Sequence, residues 1–512
     1  MSDSASAALT VERIPEVSKS VPGSFHGSVL NGLAWKAASR GTFEVTRLAV
    51  AIALARLLTP HEYGLAGFAL VLVAFQPVFC GTALASALVQ REHVTENDRS
   101  TVFWCSAATG LFFTILGVSL SWILTSAFGD PQAAPLFAAM SLCYVISALG
   151  ITQTELLIRA MKFRSLELRT MAGVIIGALL AIAAALLGWG PWAIVLQQLG
   201  YYTAATVLLW LMSDWHPHFI FSRQSLHEIR GFGGNTSGAM LLYVMNQNTS
   251  RVLIGGALGT AALGAFALGY NVILAPFSRI TSPLFDVLYT VYAKLRDDRE
   301  RLVNAWLRVV RLTVAITLPA MLGLIVVAPD LVPVVFGAQW HDAVPVIQIL
   351  AWVGVLIALQ GVNEIILQSV DRTEVAFRFA AVLFVTGVAS FLIGLPWGIV
   401  GVSAGYAIVS TIVQPWYTHQ TARAVGTGLG AYLQAVSGVL QASALSTGAI
   451  FITRELLRSE GASAVSRLVA TACVGTLTFA AAARWRAPDL VVEVKGLIRR
   501  RRQPDSSVAE LH

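Results

Sequence analysis

Apolar runs long enough to cross a bilayer follow one another along most of the chain, separated by short polar turns. A membrane helix needs about 20 mostly apolar residues. That ruler predicts spans near 30–58, 63–90, 101–127, 134–158, 169–188 and 191–213. A second set follows near 232–258, 262–292, 303–327, 343–369, 375–394 and 397–422, with two weaker spans near 431–453 and 466–483. The expected fold is an all-α integral membrane protein of about 14 transmembrane helices at that span length. Every connecting loop is short, so none could house a soluble catalytic domain.

The two halves resemble each other. "LARLLTPHEYGLAGFAL" (54–70) and "GGALGTAALGAFALG" (255–269) match at an offset of 200, which pairs Leu58 with Leu258 and Gly64 with Gly264. Pro77 and Pro276 then fall one position out of register. An even number of predicted helices separates the copies, so the repeats run parallel about an axis along the membrane normal, a transporter architecture with the site between two bundles. The expected organisation is a cytoplasmic tail (1–28), a six-helix lobe (29–228), a second six-helix lobe (229–425), a terminal hairpin (426–484) and a basic tail (485–512).

Composition supports the membrane reading, with 56% apolar and 12% charged residues, about half the charge of ordinary soluble domains. Cys80, Cys105, Cys143 and Cys473 lie in apolar runs without CxxC spacing and read as small core residues. Residues 1–28 lack the apolar region of a cleavable signal. At the other end, "DLVVEVKGLIRRRR" (489–502) is either a flank that fixes orientation or a short helix on anionic lipid.

Charge fixes the expected topology. Of 35 Lys and Arg residues, 26 fall in the alternate loops and tails taken as inner, and the outer loops hold only Arg454, Arg458 and Arg467. This positive-inside asymmetry places both termini in the cytoplasm. The remaining six, Arg47, Arg56, Arg251, Arg279, Arg308 and Arg311, lie within spans. Arg56, Arg308 and Arg311 sit near helix ends, where long side chains reach the interface. Arg47 and Arg279 lie near mid-span, where an arginine costs about 2.5–3.5 kcal/mol on insertion scales. Such residues must face protein or a watery cavity.

Glu44 lies three residues before Arg47 and can neutralise it. Asp286 is two turns beyond Arg279, a distant partner, and Pro276 one turn before it should open the helix. Arg251 closes the polar run "NQNTSR" (246–251), whose Asn246 and Asn248 can bond between helices. Glu364 makes a polar face with Gln360 and Gln368. The interior is thus expected to be polar and net cationic, suited to something anionic. The candidate substrate contacts are Arg47, Arg251, Arg279, Asn248 and Asn271; the candidate coupling or charge-partner acids are Glu44, Asp286 and Glu364.

Five pieces in order give the chain a family resemblance: "LARLLTPHEYG" (54–64), "LLIRAMKFR" (156–164), "LGAFALGYN" (263–271), "AKLRDDRERL" (293–302) and "VFGAQW" (335–340). The chain resembles the bacterial Wzx-type flippases of lipid-linked oligosaccharides, closest to the colanic-acid-type exporters, within the superfamily that includes multidrug exporters. The resemblance runs from about Leu30 to Val425. It implies two rocking six-helix lobes in the bacterial plasma membrane and an oligosaccharide on undecaprenyl pyrophosphate as substrate. Polysaccharide polymerase and glycosyltransferase machinery are the implied partners, with anionic lipid around the protein and no nucleic acid. A departure is Ser250, where many relatives carry an acid two residues after the asparagine matching Asn248.

Other classes fit less well. An ion-coupled multidrug exporter of the same fold would want a carboxylate-dominated N-terminal cavity, whereas here Glu44 is matched by Arg47. A membrane polymerase or acyltransferase needs a nucleophile, base or metal cluster. The paired histidines of "WHPHF" (215–219) read as a solvated turn rather than a metal site, and no P-loop is present. A purely structural scaffold would not need deep arginines. No catalytic residue, metal or cofactor is expected, and the chain is expected not to be an enzyme.

Overall fold

The computed structural model describes residues 46–490, apart from 80, 81, 92 and 129. Along 228–240, 272–287 and a few other helical positions it describes the backbone alone. Every regular element among the described residues is helical. The first helix, α1, covers 46–57. It is followed by α2 (Pro60–Ala74), α3 (Gln76–Phe79), α4 (Thr82–Ala85), α5 (Ala87–Gln90), α6 (Glu96–Phe128), α7 (Ala133–Arg159), α8 (Phe163–Leu186) and α9 (Trp192–Met212). Then come α10 (Arg223–Leu258), α11 (Thr260–Lys294), α12 (Arg299–Val335), α13 (Ala343–Ser369), α14 (Thr373–Gly394), α15 (Gly398–Val425), α16 (Leu429–Ser459) and α17 (Ala464–Arg486). Ten stretches of the described chain are long and apolar enough to cross a membrane, and two of them, Pro60–Phe79 and Thr373–Val425, each contain two of these helices. The protein is an all-α, multi-pass membrane protein.

Local sequence explains where helices start and turn. Pro60 opens α2 with Thr59 before it, and a reciprocal box closes the end: Thr59 N–H donates to Glu62 Oε2 at 2.8 Å, and Glu62 N–H to Thr59 Oγ1 at 3.3 Å. Thr95 and Asp98 repeat the device at α6, at 3.0 and 3.2 Å. The apolar run predicted as one span over 63–90 is broken after Ala74 into α3, α4 and α5. Pro77 has no amide hydrogen to continue the ladder, and Phe75 bonds back to Leu72 in a turn instead. By contrast, α11 continues as a helix through Pro276 and Pro283.

The turns α7–α8 and α13–α14 have the same construction. Lys162 N–H reaches the Leu157 carbonyl at 2.9 Å, and Arg372 N–H reaches Leu367 at 2.8 Å. Between them, Met161 and Asp371 adopt left-handed conformations, φ 54° and 57°. "IRAMK" and "QSVDR" share almost no residue types, so the internal repeat is deeper in backbone than in sequence.

The described chain packs as two units. One holds the residues up to Leu54 together with Ala69–Gln247; the other holds Ala55–Phe68 with the residues from Asn248 onward. In the first unit, Ala85, Leu88, Val102, Tyr144 and Ala148 form a core, and Arg159 donates to the carbonyls of Leu88 and Arg91 at 2.7 and 2.5 Å, capping α5. In the second unit, Tyr292, Trp306, Val362, Tyr432 and Ala482 join α11, α12, α13, α16 and α17.

Two of the resemblance motifs bind each other inside the second unit. Arg56 Nε donates to the Val335 carbonyl at 2.8 Å and its second nitrogen to Val334, so the guanidinium caps the C-terminus of α12. In return the Trp340 indole donates to the Ala55 carbonyl at 2.7 Å, and the Tyr63 ring meets the Trp340 ring edge-on at 5.4 Å. Arg56 therefore has a structural role beyond reaching the interface.

The terminal hairpin α16–α17 is tied to α12 by a buried ion triad. Asp330 accepts from Arg454 Nε at 2.5 Å and from Arg467 Nη2 at 2.5 Å, with side chains 6%, 12% and 19% exposed respectively. These are two of the three basic residues that break the charge asymmetry of the loops. Each is neutralised by a carboxylate within its own unit.

Candidate functional site

The polar run at 246–251 lies on α10, whose partner α11 returns after a turn at Gly259, φ 86°. Asn248 and Arg251 are three residues apart and share a helix face. Asn248 is buried, Arg251 half-buried, and Arg251 Nη1 donates to Asn248 Oδ1 at 3.2 Å. The guanidinium carbon lies 5.0 Å from the centre of the Tyr270 ring on α11, a cation–π contact worth about 0.5–2 kcal/mol. Next to Tyr270, Asn271 on α11 neighbours the buried Tyr63 side chain from α2, which lies within electrostatic reach of Arg251.

These five side chains form one cluster within the second unit. The Tyr270 ring and Asn248 both hold the guanidinium in place. A guanidinium has five N–H donors in a fixed fork, more than one amide oxygen can accept, so this arrangement suits an oxyanion with paired oxygens. Of the expected substrate contacts, the structure brings Arg251, Asn248 and Asn271 together. Arg47 is on α1 in the first unit, with its side chain exposed. Arg279 and Asp286 are on α11, two and four turns beyond Asn271, and their side chains lie outside the described residues. Glu44 lies outside them altogether. Glu364 is exposed on α13, where Gln368 donates to it at 3.2 Å.

A second polar site escaped the sequence reading. Glu155 is buried on α7 in the first unit, within electrostatic reach of Arg169 on α8. Arg169 Nη1 donates to Thr154 Oγ1 at 2.8 Å. Arg169, the first residue of the predicted span 169–188, lies nearly two turns into α8. The available signal was an acid inside the apolar run "GITQTELLI" (150–158). No group of three or more histidine, cysteine or acidic side chains that could hold a metal occurs among the described residues.

Comparison with known proteins adds the lineage. A family described as "Polysaccharide biosynthesis protein" matches residues 53–345. The chain is 25% identical to the lipopolysaccharide biosynthesis protein WzxC of Escherichia coli (strain K12) over 396 residues, covering 76% of this chain and 80% of that protein. It is 30% identical to the succinoglycan biosynthesis transport protein ExoT of Rhizobium meliloti (strain 1021) over 325 residues, 63% of this chain and 66% of that one. The solved structure of the lipid II flippase MurJ, inward closed, matches with a TM-score of 0.70 at 15% identity, covering 88% of this chain and 99% of that one. That likeness concerns the fold. The family match spans more than half of the chain and includes Tyr63, Asn248, Arg251, Tyr270 and Asn271; the chain belongs to the polysaccharide biosynthesis protein family.

Proposed function

We propose that the protein carries undecaprenyl-pyrophosphate-linked oligosaccharide units from the cytoplasmic to the outer face of the bacterial inner membrane by alternating access. The observation that carries this reading is Arg251, held in a helical run of the membrane domain between the Tyr270 ring and Asn248. A cation kept in such a place needs a reason that repays its insertion cost. A pyrophosphate supplies one, since its paired oxygens match the guanidinium fork. The names of the relatives WzxC and ExoT, one of them a biosynthesis transport protein, support the same direction.

In this reading the protein is a transporter and not an enzyme. Both termini are cytoplasmic, two six-helix lobes (29–228 and 229–425) alternate, and the hairpin 426–484 is an accessory. Arg47 and Arg279 join Arg251 on the substrate path, and Glu44, Asp286 or Glu364 serve as charge partners. Polymerase and glycosyltransferase machinery supply and consume the substrate.

The test is a deletion strain. Lipid-linked oligosaccharide should accumulate on the cytoplasmic leaflet and return to normal when the gene is restored. Normal export with no accumulated intermediate removes the reading.

A further inference from the structure

The connection between α9 and α10, "SDWHPHFIFS" (213–222), contains the "WHPHF" (215–219) that reads from sequence as a solvated turn. In the structure it is strapped to the start of α6. The Trp215 indole donates to Glu96 Oε1 at 2.6 Å, and His218 Nδ1 lies 3.0 Å from the same oxygen. Ser100 Oγ accepts from His218 N–H at 3.3 Å, and Thr101 Oγ1 from Ser222 N–H at 2.9 Å. The Trp104 indole donates to the His218 carbonyl at 2.8 Å.

These contacts hold an apolar surface outward. Phe219 is 92% exposed and Phe221 55%, with Ile220 exposed between them. A loop in water gains nothing by fixing three adjacent apolar side chains outward. Its depth identifies the surroundings. Phe219 stacks on Trp104 at 5.0 Å, and Trp104 is three residues past the start of the apolar run that begins near 101, about 4.5 Å along the helix at about 1.5 Å per residue. The chain thus leaves α9, turns back along α6 and reaches Phe219 beside the membrane-spanning part of that helix. The neighbouring α7–α8 turn extends the patch: Lys162 pairs with Asp214 at 3.4 Å, Met161 is 75% exposed, and Phe163 is exposed. Lys162, Arg164 and Arg223 lie in or next to these segments, with exposed side chains.

We propose that residues 215–221, with Met161 and Phe163, form an anchor laid into the boundary between headgroups and acyl chains, and that Lys162, Arg164 and Arg223 fit it to an anionic lipid surface. Aromatic rings whose polar edges are bonded to protein while their faces remain apolar suit that layer, and the basic side chains meet the lipid phosphates. Leu211, in the last turn of α9 and two residues before the segment, is 76% exposed, so the apolar surface of a membrane span leads up to the patch. The inference is independent of what the protein transports.

The experiment reads the surroundings of position 219 in the full chain, reconstituted in vesicles. Phe219→Cys and Asp214→Cys carry an environment-sensitive fluorophore, with labelling of the unsubstituted chain subtracted; Phe221→Cys repeats the reading should the first variant fold poorly. The probe at 219 or 221 should emit further to the blue than at 214, be shielded several-fold from aqueous iodide, and be quenched by lipids brominated along the acyl chain. Adding phosphatidylglycerol to phosphatidylcholine vesicles should enlarge the blue shift. Equal iodide quenching at 219 and 214 overturns the anchor in favour of a solvated turn. Shielding without quenching by brominated lipid overturns it in favour of contact with protein, and emission indifferent to phosphatidylglycerol overturns the anionic preference.

Discussion

Gly64 and Gly264 pack against each other where α2 meets α11. A methyl group on Gly64 would stand 1.7 Å from the Thr260 carbonyl oxygen, and one on Gly264 would stand 2.0 Å from that of Pro60. Pro60 and Thr260 are themselves 200 residues apart, as are the two glycines, so the repeated segments meet with local two-fold symmetry. His61 and Thr260 share a hydrogen bond of 2.7 Å beside the contact. Gly64→Ala or Gly264→Ala should lower thermal stability by at least the about 1–3 kcal/mol typical of overpacking. The control is Gly67→Ala, where the nearest atom is the Ala267 methyl at 3.8 Å. Equal melting temperatures for Gly64→Ala and Gly67→Ala would sink the argument.

Asp330→Asn should destabilise the second unit by about 3–5 kcal/mol, since Arg467 would be left largely buried without its carboxylate and Arg454 with only Glu455 at 2.9 Å. Replacing Asp330 together with Arg454 and Arg467 by apolar residues of similar size should recover much of the loss. Detergent-solubilised melting curves test both. If the triple replacement is no better than Asp330→Asn alone, the triad is not the source of the effect.

At the candidate site, Arg251→Ala should cut transport about ten- to a hundredfold, from about 1.5–3 kcal/mol for a hydrogen bond to a charged group at about 1.4 kcal/mol per tenfold. Arg251→Lys should recover only part, having charge without the fork. Tyr270→Leu should cost a few-fold through loss of the cation–π contact. Transport assayed at matched protein levels decides; normal transport by Arg251→Ala removes the oxyanion role.

Arg279→Ala should abolish export while the protein accumulates and inserts as before, because no close charge partner is expected from its sequence neighbourhood. Quantitative blotting alongside the export assay separates the outcomes. Failure to accumulate would make the residue structural.

The proposed orientation predicts opposite labelling at the two ends of α12. Gly337→Cys should react with a membrane-impermeant thiol reagent added outside intact cells, and Arg296→Cys should not. The reverse pattern turns the protein over in the membrane.

How much of this was legible follows from the range of each interaction. Helix positions came through because apolarity at span length is a local signal, and Thr59–Glu62 and Thr95–Asp98 mark their ends within four residues. The break after Ala74 was visible only as Pro77 in a run that otherwise looked continuous. Arg251 and Asn248 were legible as a polar face of one helix. The Tyr270 ring that orients Arg251, and Tyr63 on Asn271, come from other helices and could not be placed without the fold. Glu155 was not legible as a buried site because it sits one turn before Arg159 and its partner Arg169 is on the next helix. Asp330 was hidden among Pro329, Pro333 and valines, and its partners lie more than a hundred residues further on.

The Asp330 triad has a bearing on how the chain is made. Under the proposed orientation, Arg454 and Arg467 travel to the face that basic residues ordinarily avoid, so the loop of the last hairpin opposes the bias that the basic tail behind it supplies. Its counter-charge belongs to α12, which leaves the ribosome first. The direction of the hairpin is then set by its tail and eased by partnership: synthesised without α12, the same segment should insert less completely, because Arg454 and Arg467 must cross without Asp330.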